Sequence, residues 1–189
     1  MNINLEPIIS LSQENKMRML EIRNEEAVRK WMYNDHIISV EEHLNWIDHL
    51  KEPGFAIFAE KNIIGSIRFE NCNYRNKTTS WTYHLTQTAN FMGLAPTLEF
   101  AFIDFCFDKF IFEKLNCEVI EGNDAVIKLH SKFLFKDEGF RRSNILKNGI
   151  RLGVHYLGLL KSEWLEHREE IKIKYARIFD KFNLTIPPS

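Results

Sequence analysis

The stretch "EVIEGNDAVIKLHSKFLF" (118–135) changes period at Gly122-Asn123, from a short apolar strand to an amphipathic helix. Asparagine is a favoured residue at the start of a helix, so Asn123 is expected to open the segment that runs to Phe133. His130 lies about two turns further on, which puts it near the same face as Asn123, where both can serve one long ligand. Outward from this stretch, "PTLEFAFIDFCFDKFIF" (96–112) is a helix with a proline in its first turn and apolar residues on almost all sides. That pattern predicts burial on more than one face. "NCEVIE" (116–121) then connects the two helices as a strand, so the centre of the chain is helix, strand, helix.

On the N-terminal side, three strand-like runs, "FAIFAE", "IIGSIRFENC" and "TTSWTYHL", are separated by Lys61-Asn62 and by "NYRNK", which predicts an antiparallel meander. Before them, "INLEPIIS" is a first strand, placed at an edge by Pro7. Gln13 to Tyr33 is helical in composition with a break at Arg23-Asn24. Ser39 and Glu42 form a capping box for a helix to about Lys51, stopped by Pro53-Gly54. On the C-terminal side, "FKDEGFRRSNI" and "IRLGVHYLGLL" are strands joined at "LKNG". A last amphipathic helix over 162–182 carries Trp164, Leu165, Ile171, Tyr175, Ile178 and Phe182 on one stripe. The fold class is therefore α+β: a mixed, mostly antiparallel sheet flanked by helices, with one crossover helix between the fourth and fifth strands and an extra C-terminal helix.

With 189 residues, 44% of them hydrophobic and 15 of them Phe, the chain has the material for a folded core. A net charge of −1 gives no electrostatic reason to expect nucleic acid or an anionic membrane as partner. The three cysteines, Cys72, Cys106 and Cys117, lack metal-ligand spacing and suit a reducing, cytoplasmic setting, so no metal is expected. "MNINLEPIISL" has neither the cationic start nor the apolar run of a secretory leader.

Three features bear on chemistry. In "NFMGLAP" (90–96) Gly93 and Ala95 let backbone approach a ligand where a helix starts, and the unpaired N–H groups there favour a phosphate. By itself that is also an ordinary turn before a helix. Asn123 is equally a helix cap, and His130 equally a core-edge histidine.

The residues "N-F-M-G-L-A" (90–95) and "N-D-A-V-I-K-L-H-S-K-F-L-F" (123–135) resemble two motifs of the GNAT family of N-acetyltransferases: the Gln/Arg-x-x-Gly-x-Gly/Ala pyrophosphate loop and the Asn-x-x-Ala-Ile-x-Leu-Tyr-x-Lys-x-Gly-Phe segment. Both occur in the family's order, and the resemblance covers residues 1–160. Asn90, Val126, His130 and Leu134 depart from the usual residues. Within the family, "EIRNEEAVRKWMYNDHIISVEEHLNWI" (21–47) resembles the bacterial enzymes that acetylate nucleotide-linked 4-amino-4,6-dideoxy sugars on the way to pseudaminic and legionaminic acids.

The resemblance implies transfer of acetyl from acetyl-CoA to an amine, with no metal. It implies that Leu85, Asn90, Met92, Gly93, Leu94, Ala95 and Asn123 hold the co-substrate and that His130 gives a proton to the leaving thiolate. A backbone N–H near Thr82–His84 would polarise the thioester carbonyl. For a UDP-linked acceptor, Arg23 and Arg68 would hold the diphosphate and Trp31, Trp46 or Trp81 stack on a ring, with His43 beside them. Both Trp31 and Trp46 also fit the apolar period of their helices and so fit a core role. The proton acceptor stays open between Glu70, Asp35, His84 and water. A protein N-terminus or a polyamine is the alternative acceptor, and a CoA-binding domain without catalysis the alternative outside enzymology. Residues 1–161 are expected to form the acetyltransferase domain, and 162–189 an extension packed on it or at a homodimer interface.

Overall fold

The computed structural model describes every residue except Asn90, Pro188 and Ser189. Among the described residues eight strands and six α-helices follow one another. They group into two compact units: Met1–Glu70 with Trp81–Met92 and Lys181–Ser189, and Asn71–Ser80 with Gly93–Asp180.

In the first unit, β1 (Asn2–Pro7) pairs antiparallel with β2 (Gly54–Ala59), which pairs antiparallel with β3 (Asn62–Asn73). β4 (Thr78–Leu85) follows β3 in the strand order. The first strand is not at an edge: β8 (Asn183–Thr185) pairs parallel along its other side. Pro7 is tolerated because it ends β1, where the chain turns into a short 3-10 segment, Ile8–Ser10. The expected helical break falls where Glu25 adopts extended ψ, separating α1 (Gln13–Asn24) from α2 (Glu26–Arg29). The capping box of Ser39 and Glu42 starts α3 (Val40–Asp48), which ends three residues before Lys51. Ile8, Leu11, Met19, Ile22, Val28, Ile47, Ala56, Phe58 and Ile63 form the core of this unit, with Trp46 packed on it.

One contact fixes how closely β3 and β4 approach. A Cβ on Gly65 would lie 2.0 Å from the carbonyl oxygen of His84. Backbone cannot yield to it as a flexible side chain would. Gly65→Ala is expected to cost about 3 kcal/mol, read as a lowered midpoint in thermal melts; an unchanged midpoint would show that the two strands can part freely.

In the second unit the strand order is β6-β7-β5-β4. β5 (Lys114–Ile120) runs parallel to the start of β4, with Thr78 opposite Lys114 and Ser80 opposite Asn116. The crossover between them is α4 (Leu94–Lys109), whose buried residues include Leu94, Leu98, Phe102, Ile103, Cys106 and Phe107, on more than one side as its composition predicts. α5 (Asp124–Lys132) follows β5. β6 (Lys136–Lys147) and β7 (Ile150–Leu160) form a hairpin closed by Asn148 and Gly149, both at positive φ (48° and 78°), the geometry a two-residue turn of that hand requires.

The last helix, α6 (Lys161–Phe179), packs on α4. Trp164 is fully buried, its ring centroid 5.2 Å from that of Phe100, and its Nε1 donates to Asp104 Oδ1 at 3.1 Å. Leu165, placed on the same stripe by spacing, is instead exposed. Among the described residues no helix is long and apolar enough to cross a membrane.

Candidate active site

The first unit contains a cavity of about 290 Å³. Side chains alternate along a strand, so Ser66 and Arg68 of β3 and Thr82 and His84 of β4 present themselves to it together. Opposite them are Arg23 from the last turn of α1, Asn34 and His36 after α2, and Glu42, His43 and Trp46 of α3.

The charge in this wall is mainly positive. Arg23 Nη2 donates to the Asn34 carbonyl at 2.7 Å, while its Nη1 is buried without a hydrogen-bond partner. Burial, then Arg68 and Arg29, lower the Arg23 pKa. Arg68 is paired with Glu70, and its guanidinium carbon lies 5.3 Å from the Trp46 ring centroid. The one carboxylate in the wall, Glu42, is already committed. Its Oε2 accepts from the Ser39 N–H at 2.8 Å, and Oε1 lies 3.2 Å from His36 Nε2. His43 is buried and donates from Nε2 to the Lys16 carbonyl at 2.9 Å, so it ties α3 to α1. His84 Nε2, like Arg23 Nη1, is buried without a partner. Trp31 and Trp81 do not line this cavity. Trp31 has Lys30 Nζ 5.2 Å from its ring centroid, and Trp81 is buried and stacked on Tyr83.

Leu85 ends β4 and leads into a loop that Glu25 holds: its carboxylate accepts from the Thr86 hydroxyl at 2.6 Å and from the Gln87 N–H at 3.0 Å. Met92, further along, is 83% exposed. Asn90 lies outside the described residues.

In the second unit Gly93 precedes α4 in the left-handed region, at φ 97°. This is where glycine is required, and it leaves the Leu94 and Ala95 amides at the positive end of a sixteen-residue helix. The Leu94 side chain is in the core, which leaves only its backbone available for a contact. Pro96, in the first turn, has no N–H to orphan, and Thr97 N–H and Oγ1 both return to the Gly93 carbonyl. Asn123 occupies the cap position of α5 but makes no side-chain capping bond, so capping does not consume its carboxamide.

His130 is buried and its Nδ1 lies 2.6 Å from Glu99 Oε1 on α4. Burial works against a charged imidazole, but the Glu99 carboxylate, with Cys117 of β5 beside it, outweighs that and raises the pKa. Burial pushes the Glu99 carboxyl up too, against the influence of His130. Both shifts favour keeping a proton, which sits in the bond between the two side chains. Burial also raises the Cys117 thiol, so it stays protonated at neutral pH. The sequence had a signal for Glu99, a lone carboxylate in an apolar helix turn, but none for which residue would answer it.

Among the described residues no group of His, Cys, Asp or Glu is arranged to hold a metal ion. The family model of the acetyltransferase (GNAT) domain matches residues 7–136, more than half of the chain. The protein belongs to the GNAT acetyltransferase family. As a GNAT protein it is an acetyltransferase, and acetyl-CoA is the family's acetyl donor. A curated relative, the SPbeta prophage-derived uncharacterized N-acetyltransferase YokL of Bacillus subtilis (strain 168), is 26% identical over 123 residues, 63% of this chain and 70% of the relative.

Solved structures of acetyltransferases share this fold, among them the following two. The spermidine N-acetyltransferase from Vibrio cholerae, in complex with CoA and spermine, superimposes with a TM-score of 0.77 at 20% identity, over 86% of this chain and 98% of its own. An N-acetyltransferase from Staphylococcus aureus Mu50 gives 0.72 at 20%, over 85% and 99%. The mixed sheet flanked by helices is thus the GNAT fold, as expected from the sequence.

Proposed function

We propose that this GNAT protein acetylates the amine of an acceptor that also carries an anionic group, and that the specific acceptor is a nucleotide-linked 4-amino-4,6-dideoxy sugar. The observation that carries this reading is the buried, unpartnered Arg23 Nη1 in a cavity whose second guanidinium is Arg68 and whose only carboxylate is spent on a helix cap. An oxyanion placed there satisfies the orphan donor and relieves the repulsion between the two arginines. At about 290 Å³ the cavity takes a small acceptor or one end of a longer one. Trp46, beside Arg68, offers a ring face; Trp31 and Trp81 are assigned no contact. His43 supports the wall without touching the acceptor's charge.

For acetyl-CoA, the amides of Leu94 and Ala95 after Gly93 are the proposed pyrophosphate contacts, with Met92, Leu85 and Asn123 contributing along the arm; Asn90 stands in the same motif. These residues fit a phosphate-bearing ligand because a left-handed glycine leaves open amides at a helix start. The acetyl-CoA thioester supplies an activated carbonyl that the amine attacks. His130 is retained in this reading as the proton source for the departing sulfur, held charged by Glu99. Residues 1–161 are taken as the transferring domain, and the extension is given no part in the chemistry.

The second reading is a polyamine acceptor, favoured by the fold shared with the Vibrio cholerae spermidine enzyme. It asks for acidic walls, and this cavity has arginines. The test is release of free thiol from acetyl-CoA with purified protein and a panel: UDP-4-amino sugars, amines bearing a carboxylate or phosphate, spermidine and peptide N-termini. Release with the anionic amines, strongest for a UDP-4-amino sugar, is expected. Release with spermidine alone would overturn the proposal.

A further inference from the structure

We propose that His84 takes the proton from the acceptor's ammonium group, and that it can do so only once an anionic group of the same acceptor has neutralised Arg23 and Arg68. This rests on the functional reading above and deepens it.

Three histidines line the cavity, and two are committed. His36 contacts Asn34 Oδ1 through Nδ1 and Glu42 through Nε2. His43 gives its Nε2 proton to the Lys16 carbonyl. His84 alone keeps a ring nitrogen, Nε2, buried in the wall without a hydrogen-bond partner. Its position is well fixed, because Gly65 of β3 abuts its carbonyl group. A buried nitrogen left unsatisfied costs stability unless a ligand answers it.

His84 is by itself a very weak base: burial, then Arg23, then Arg68, lower its pKa to about 3. Of the two carboxylates close to these groups, Glu42 in the wall is tied to Ser39 and His36, and Glu70, outside the wall, lies against Arg68. Neither offsets the two guanidiniums at the His84 ring. An oxyanion bound between them removes two of the three causes of the depression and brings the imidazole toward the range where a base is effective. Until then the same positive wall also disfavours an ammonium ion, so an amine without an anionic partner gains nothing from His84.

The ammonium gives one proton to His84 Nε2, and the freed lone pair on nitrogen forms the N–C bond to the acetyl carbonyl carbon. The C–S bond breaks with its electron pair on sulfur. His130 gives the sulfur its proton and is restored, by way of solvent, by the second proton that the attacking nitrogen loses, giving amide and thiol, and His84 returns its proton to solvent when the product leaves.

The test pairs kinetics with calorimetry, using wild type, His84→Gln and Arg68→Gln. With an anionic amine, kcat of wild type is expected to fall on the acid side of a single group. His84→Gln is expected to have kcat lower by about 100-fold, no such fall, and an unchanged KM for acetyl-CoA. Uridine diphosphate binding, followed in two buffers of different ionisation enthalpy near pH 6, should draw a proton into wild type, less into Arg68→Gln and none into His84→Gln. The calorimetry also serves if His84→Gln folds poorly, because the Arg68→Gln comparison stands without it.

Equal kcat and pH profile in wild type and His84→Gln, or uridine diphosphate binding to wild type without proton uptake, overturns the assignment while leaving the acceptor class intact. Failure of wild type to acetylate any anionic amine overturns the acceptor class, and the role of His84 with it.

Discussion

Replacing His130 by alanine is expected to destabilise the protein by about 3–5 kcal/mol, a fall in melting temperature on the order of 10 °C for a chain of this size. The cause is the partner left behind. Glu99 is fully buried, its Oε1 is held by His130, and its Oε2 has no hydrogen-bond partner. Without the imidazole the carboxylate has nothing to answer its charge. Glu99→Gln in the same background removes that charge and is expected to recover most of the loss.

The pH dependence has a definite sign. The folded pKa of His130 is raised, so its stabilisation is complete below the ordinary imidazole pKa of about 6.5 and is lost as pH rises through the raised value. Wild type should therefore lose stability on the alkaline side, and the alanine variant should not show that loss. A His130→Ala variant that melts within a degree or two of wild type would remove the buried pair from the account of stability. Measured with kinetics on the folded double variant, the same substitution separates support of the fold from proton donation.

Arg23→Ala is expected to raise the KM for an anionic acceptor by about 30-fold, the value of a charge-assisted hydrogen bond of about 2 kcal/mol, with the KM for acetyl-CoA unchanged. Arg23→Lys should recover only part of this, because an ammonium keeps the charge and loses the fork that reaches both the Asn34 carbonyl and the cavity. Spermidine should be no worse a substrate for the variant than for wild type. Acceptor kinetics that do not change on removing the guanidinium would show that the anionic group binds elsewhere.

The elements that span several turns or pleats were legible because their period is set by burial. The all-round apolar run of α4, the Ser39 and Glu42 box and the Asn148-Gly149 turn are local patterns with local causes. β8 was not legible: three residues carry no period, and the strand exists because β1 offers it an unpaired row. Leu165 misled for a related reason, since spacing gives a face of a helix but not how wide a neighbour covers it.

Of the candidate residues, Gly93, Asn123, Arg23 and Arg68 stand out in the sequence through motif and residue type. What the sequence could not show was satisfaction: that His43 has a partner, that Glu99 claims His130, and that His84 has a nitrogen to spare. Hydrogen-bond accounts close only in three dimensions, between residues up to tens of positions apart. Glu25, which holds the loop at Thr86 and Gln87, is a case with no local signal at all.

β8 also bears on what backbone β1 offers to other molecules. Its short parallel pairing with β1, reinforced by Asn183 N–H to the Met1 carbonyl at 2.8 Å, covers a row of backbone groups beside Ile3 and Leu5. A protease nick between Asp180 and Asn183 would release that cover and leave β1 as a template for an extended segment of another copy. Trimmed material should then self-associate during storage, visible as growing light scattering, while intact material stays clear. Equal scattering from both would mean that the three residues of β8 are not what keeps copies apart.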